Sequence, residues 1–303
     1  MKPTPVKNLV AEISLRSSDA LLPIFEPIIN SINSINLKNP ENPSDGKIIV
    51  EIERRAENEQ LIGPPPIKNV TVYDNGEGFT IANMDLFEIP HSHKNKSLGC
   101  KGLGRFTCLA AFREMEVKST YQEKGEWNLR HFKFDQKNEI KEVKNGEMPV
   151  EALETIVRLI DYNNQSIVHA TAIELDDFAE KLMQHCLIYY LNKQLPDIKI
   201  TDTTTDETIN LKDKYKELAQ ENERDFEVKG EQFRAYILRN PKKSNRKNHY
   251  VHYCANSREV GSGRSLSLIN KIFNYPLQRG GDSYYLDVYV VSNYFKQSKQ
   301  ERE

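Results

Sequence analysis

The chain of 303 residues carries 42 Lys and Arg against 44 Asp and Glu, a formal charge of -2, with 38% hydrophobic residues. That balance argues against a wholesale basic sleeve for nucleic acid while leaving room for a local basic groove, and a mean hydropathy of -0.65 argues against residence in a membrane. No stretch approaches the roughly 18 apolar residues needed to cross a bilayer, and charges fall between Met1 and Arg16 where a signal peptide would need its apolar core, so the expectation is a cytoplasmic protein.

The length is enough for two modest domains, each with its own core. Cys100, Cys108, Cys186 and Cys254 are scattered and form no C-x-x-C unit, which disfavours a disulfide framework and structural zinc.

In chain order, Asp19 to Ile35 predicts a helix, with Leu21, Phe25, Ile28, Ile32 and Ile35 spaced by threes and fours against a core. Glu26 and Asn30 stand one turn apart on a neighbouring polar face, and Asn33 continues that seam. Pro23 fits the first turn; Pro27 either kinks the helix or marks its regular beginning, and in both cases Glu26 stays close to a helix start. Asn39 to Gly46 reads as a turn-rich connector. Ile48, Val50 and Ile52 alternate as a half-buried strand, a loop ends in three prolines at 64–66, and Val70 and Val72 continue the alternation to Asp74.

Residues 86–104 predict a long loop before a helix at Arg105 to Phe112. Strands are expected at Met115 to Thr120, Leu129 to Phe134, Ile156 to Ile160 and Thr171 to Leu175. A helix then starts at Asp176-Asp177 and runs through Phe178, Leu182, Cys186 and Tyr189 to about Leu191. These elements imply a mostly antiparallel sheet covered by helices on one side, an α+β two-layer domain over 1–200. The composition shifts at Thr201 to Glu207, and Leu211 to Glu227 is charged enough to be a connector with helical character, so 201–225 is read as a linker. A smaller α/β domain over 226–303 is anchored by Phe233 to Leu238, Val251 to Ala255, a helix near Leu266 to Phe273 and a strand at Tyr285 to Val291. One late strand with no covering helix implies that the natural protein continues, or that the second domain is incomplete.

Two motifs carry chemistry. Asp74-Asn75-Gly76-Glu77-Gly78 follows a strand directly, so a carboxylate at the strand end can accept an amine proton while the glycines admit a close ligand. Gly99-Cys100-Lys101-Gly102-Leu103-Gly104-Arg105 opens into a helix, and free backbone N–H groups with the helix dipole form a cradle for anionic oxygens. The second segment lacks the G-K-[ST] ending of a P-loop and does not lie in the strand-helix unit of a dinucleotide fold.

Carboxylate, amide, strand-end Asp with glycines, then phosphate loop: in this order the chain resembles the GHKL ATPase superfamily, whose Bergerat nucleotide fold is shared by gyrase B, the large heat-shock chaperone, histidine kinases and MutL. The family's E-x-x-x-N motif is matched by Glu26-Pro27-Ile28-Ile29-Asn30. The resemblance implies ATP and Mg2+ as cofactors, Glu26 as the group that activates water, and Asn30 as the magnesium ligand. Asn33 and Ser34 replace the family's Asp and Ala, which leaves ligation by Asn30 intact, and Asn33 stands among the expected cofactor-binding residues. Asp74 would read the adenine amine, with Gly76 and Gly78 beside it, and Gly99, Gly102 and Gly104 would be the glycines of a nucleotide lid, with Leu103 and Arg105 in the same segment. Ser92 and Lys94 resemble an S-x-K element before the lid, and either Lys94 or Lys101 would meet phosphate. The family's strand threonine is matched by Thr171, with Ala170 in place of glycine. Tyr253 to Val260 resembles the N-x-R-x-V segment of a transducer domain, which makes Arg258 the basic residue offered to the γ-phosphate.

The resemblance thus implies a Bergerat-type sandwich followed by a transducer-like domain. It also implies an Mg-dependent ATPase in which ATP drives closure of a homodimer, serving DNA maintenance or antiviral defence. The alternative is a nucleotide-controlled protein-interaction or chaperone-like module with weak or no hydrolysis. Lys242, Lys243, Arg246 and Lys247 form a basic loop that could touch DNA phosphates. Along a strand His252 and Cys254 would share one face and His249 the other, a poor three-ligand geometry, and neither that group nor His91 and His93 near Cys100 and Cys108 is expected to hold a metal of its own.

Overall fold

The computed structural model describes residues 5–56, 63–88, 104–137, 139–143, 152–216, 219–241, 248–255, 258–260 and 263–297. The chain is α+β and divides into two compact units, Met1–Lys212 and Asp213–Glu303. Among the described residues no helix is long and apolar enough to cross a membrane.

The first unit is built on an eight-stranded sheet: β1 (Lys47–Arg54), β2 (Ile67–Asp74), β3 (Phe112–Glu123), β4 (Glu126–Asp135), β5 (Glu139–Glu142), β6 (Glu154–Tyr162), β7 (Asp197–Asp202) and β8 (Glu207–Asn210), in the spatial order β5-β4-β3-β6-β2-β1-β7-β8. Of these pairings only β1 with β7 is parallel. Its helices are α1 (Val6–Ala11), α2 (Leu22–Lys38), α3 (Ile81–Glu88), α4 (Gly104–Ala111) and α5 (Leu175–Leu191), and α6 (Leu211–Lys216) crosses the division between units. The core lies between one sheet face and the helices. Ile24, Ile28, Ile29 and Ile32 of α2 are fully buried above Val50, Ile52 and Val72, while Phe79, Phe87, Phe132 and Phe134 interlock edge to face further along the same core, with Phe106 tilted on Phe134. The opposite sheet face carries a polar ladder, with Tyr73 donating to Glu51, Lys68 to Glu53, and His131 against Glu116.

α2 begins at Leu22, so Pro27 is interior to a continuous helix rather than its beginning. α5 opens with Asp176 and Asp177 in its first turn, where acidic groups suit the helix dipole. The strand expected at Thr171 to Leu175 is instead a 3-10 turn over Val168–Thr171 followed by irregular chain. There the backbone is satisfied locally, and the buried guanidinium of Arg54, ion-paired with Asp202, donates to Ile173 O at 2.9 Å.

The expected linker at 201–225 is not one. Thr201 to Asn210 completes the β7–β8 hairpin on the first sheet, turned at Asp206 with a φ of 59°. β9 (Ala219–Val228) is the edge strand of the second sheet, whose path is β12-β11-β15-β10-β9. The run looked like a connector because an edge strand keeps polar groups on its flanks, and positions 223–228 are all exposed. The other members are β10 (Glu231–Pro241), β11 (Tyr250–Ala255), β12 (Arg258–Glu259), β13 (Arg264–Ser265), β14 (Leu277–Arg279) and β15 (Asp282–Val291), with α7 (Tyr294–Gln297) after them. The helix expected near Leu266 to Phe273 is two 3-10 turns. Ser265 and Asn270 side chains accept from Ser267 N and Ile272 N, and those local bonds compete with a continuous helix.

Candidate functional site

Antiparallel pairing puts residues directly opposite one another on the same sheet face. Val50, Val72, Val157, Val117 and Phe132 are such partners across five strands and form an apolar row under the helices. The next row, at the end of β2, is Ile48, Asp74, Thr155, Ser119 and Arg130. The core face therefore turns polar in one step, at the level of the Asp74 carboxylate.

Asp74 is 6% exposed. Its Oδ2 accepts from Ser31 Oγ of α2 at 2.6 Å and its Oδ1 from Gly76 N at 2.9 Å. Burial raises the carboxyl pKa, and Ser31, Gly76 and Lys38 oppose that rise by favouring the charged form. Ser119 and Thr155 hydroxyls are 2.9 Å apart, and Ser119 Oγ accepts from Phe79 N at 3.0 Å. Gly78 has φ +79°, and a Cβ there would stand 2.8 Å from Ser119 Oγ and 3.0 Å from Tyr121 Cβ. A side chain at Gly76 would run into Ser34. Ser34 Oγ in turn accepts from Glu77 N at 2.9 Å, and Lys38 Nζ donates to Asn75 O at 2.6 Å.

Along α2, Glu26, Asn30, Ser34 and Lys38 follow one another at intervals of four and make one polar ridge. At the Lys38 end the ridge meets the 74–78 turn. At the other end, a Cβ on Gly104, the first residue of α4, would collide with the Glu26 carboxylate. Glu26 and Ser34 are separated by about 12 Å of helix rise. Glu26 is half-buried and Asn30 exposed.

The remaining expected site residues fall elsewhere. Asn33 does not continue the ridge; it is buried and accepts from Tyr189 OH of α5 at 3.0 Å. Thr171 is fully buried, accepts from Ile67 N at 3.0 Å and donates to Val168 O at 2.6 Å. Ile67 opens β2 and Asp74 closes it, so Thr171 lies roughly 23 Å of strand away from the Asp74 carboxylate. The threonine in register with Asp74 is Thr155, which alternation had left just outside a predicted strand. Its signal would have been its place two residues before the buried Val157 on the same strand face.

Arg105 is buried, with its guanidinium 4.3 Å from the Phe106 ring centroid and 5.2 Å from that of Phe87, and burial lowers its pKa to about 10. Lys94, Gly99, Lys101, Gly102 and Leu103 lie outside the described residues, as do Ser92 and the basic loop at 242–247. Arg258 pairs with Ala255 in the second unit. His249 there is structural: it is fully buried, Leu286 N donates to its Nδ1, and its Nε2 sits 2.9 Å from Tyr275 O. Among the described residues no group of three His, Cys, Asp or Glu side chains could hold a metal ion. Compared with known proteins, the sequence matches no protein-family model and no curated protein.

Proposed function

We propose that the first unit is a Bergerat-type nucleotide domain that binds ATP with Mg2+ and hydrolyses it. The observation that carries this reading is the polar ridge of α2. It joins a buried, oriented carboxylate at a strand end, Asp74, to a second carboxylate, Glu26, packed on the first residue of the helix that follows the glycine-rich segment.

Each side chain then has a distinct task. Asp74 accepts from the exocyclic amine of adenine, an amine that guanine lacks at that position. Ser31 and the Gly76 N–H each use one lone pair of its two oxygens, fixing the carboxylate plane while leaving acceptor capacity for a base. Thr155, in register beside it, offers a hydroxyl at the same level. Glu26 takes the proton of the attacking water. Asn30, exposed one turn beyond, suits Mg2+ as a single amide oxygen, since that ion keeps most of its shell for water and phosphate oxygens. Bound there, Mg2+ would neutralise phosphate charge.

A second reading, an ATP-responsive interaction module with little hydrolysis, draws on the packing of Glu26 against the Gly104 backbone. Phosphate release at saturating ATP separates the two. Glu26→Ala is expected to keep ATP and Mg2+ binding and to slow turnover by roughly 10²-fold; turnover at the parent rate would sink the hydrolase. A rate per chain that rises with protein concentration is the expected sign of an ATP-dependent homodimer.

A further inference from the structure

We propose that Cys108 is a positioning residue for Glu26: its thiol supplies the hydrogen bond that Pro27 removes from α2, and so holds the turn bearing the carboxylate against the start of α4. The inference rests on the reading of Glu26 as the base.

In a regular helix the carbonyl of residue 23 accepts from the N–H of residue 27. Proline has no N–H, and its ring crowds that same carbonyl. Cys108 Sγ, projecting from α4, lies 3.2 Å from Pro23 O. Both residues are buried, so an unsatisfied carbonyl there would have no water to turn to. Burial pushes the thiol pKa well above its usual range, and the nearby Glu26 carboxylate adds to the shift, so the S–H remains a donor at neutral pH.

The bond also has a direction. Gly104 lies four residues before Cys108, on the same face of α4. α4 therefore grips α2 at two successive points: Gly104 against the Glu26 carboxylate, and Cys108 at the carbonyl three residues before it. A water-activating group must be held to within fractions of an ångström, and a proline next to it removes the bond that would ordinarily hold its turn. Among the described residues Cys108 is a free, buried thiol and no group of three His, Cys, Asp or Glu could hold a metal ion.

The test uses the full chain. Cys108→Ala is expected to lower kcat about tenfold, the scale of a slightly misplaced catalytic group, with KM for ATP unchanged because Asp74 is untouched. Cys108→Ser keeps a donor and should recover most of the rate. The decisive variant is Pro27→Ala with Cys108→Ala, in which the restored helix N–H makes the thiol redundant; its kcat should equal that of Pro27→Ala alone. Urea unfolding of the parent, Cys108→Ala, Pro27→Ala and the double variant should show matching coupling between positions 27 and 108. The inference is overturned if Cys108→Ala turns over at the parent rate while Glu26→Gln is slow, or if the double variant is as slow as Cys108→Ala. Failure of the underlying reading looks different: Glu26→Gln then turns over at the parent rate, and the positioning role falls with it.

Discussion

At the scale of single residues, Asp74 carries the sharpest tension between stability and function. Its folded pKa is raised by burial despite three groups that favour the charge. The folded state therefore holds the proton more tightly than the unfolded chain, so this group's contribution to stability is largest below the ordinary carboxylate pKa and is lost as pH rises through the folded value. Asp74→Asn removes that cost and leaves Ser31 free to rotate its hydroxyl toward either amide atom. At pH 7 the variant should be as stable as the parent or more so, with the advantage shrinking as the pH falls through the raised folded value. Its preference for ATP over GTP should fall by the worth of one charged hydrogen bond, about 1.5–3 kcal/mol. Paired urea titrations from neutral to acid pH, with calorimetry of ATP and GTP binding, check both parts; a marked loss of stability at neutral pH would show that the carboxylate is a structural asset.

At the scale of elements, the two ends of β2 do different work. The Ile67 end is a structural knot in which Thr171 links the strand to a 3-10 turn and Arg54 ties β1 to Asp202 and Ile173. The Asp74 end is the polar row. Thr171→Val leaves a buried N–H and a buried carbonyl without their partner, which should cost about 1–3 kcal/mol of stability and leave ATP affinity unchanged. Thr155→Val should weaken ATP binding instead, since its hydroxyl stands beside the proposed base site. Measuring midpoint and ATP Kd for both variants decides the matter: the opposite pattern would return the nucleotide threonine to position 171.

At the scale of the whole molecule, the two units differ in how they respond to pH. In the second, His252 has Nδ1 2.8 Å from Glu259 Oε1, Nε2 at the ion-pair distance of 3.8 Å from Asp287 Oδ1, and its ring stacked on Tyr289. Burial alone would lower its pKa, but Asp287 and Glu259 outweigh that and raise it to about 9. The charged form is thus favoured by folding. Its contribution, up to about 3 kcal/mol, is present in full below the unfolded value near 6.5 and lost as pH rises through 9. Trp127, the single tryptophan, reports on the first unit alone, and amide exchange along β11 and β15 on the second. Between pH 6.5 and 9.5 the exchange-derived stability of the second unit should fall, and His252→Gln should flatten the curve. An unchanged slope in that variant would remove His252 as the cause.

Periods of two and of three to four residues placed α2, β1, β2, β4 and α5 from sequence because they record which face of a local element is buried, and neighbours along the chain suffice for that. The same periods placed Asp74 at the end of a strand and Glu26 one helical turn from Asn30. What only the tertiary structure decided depends on partners distant in sequence. Strand register put Thr155 rather than Thr171 across from Asp74. Packing of α5 on α2 turned Asn33, 156 residues from its partner, toward Tyr189. Pairing with β10 made a strand of the charged run at 219–228. Contact with α4 supplied, across 85 residues, the bond that Pro27 had taken from its own helix. A hydrogen-bonding group announces in sequence only that it must be satisfied; which group satisfies it is settled when the chain has closed around it.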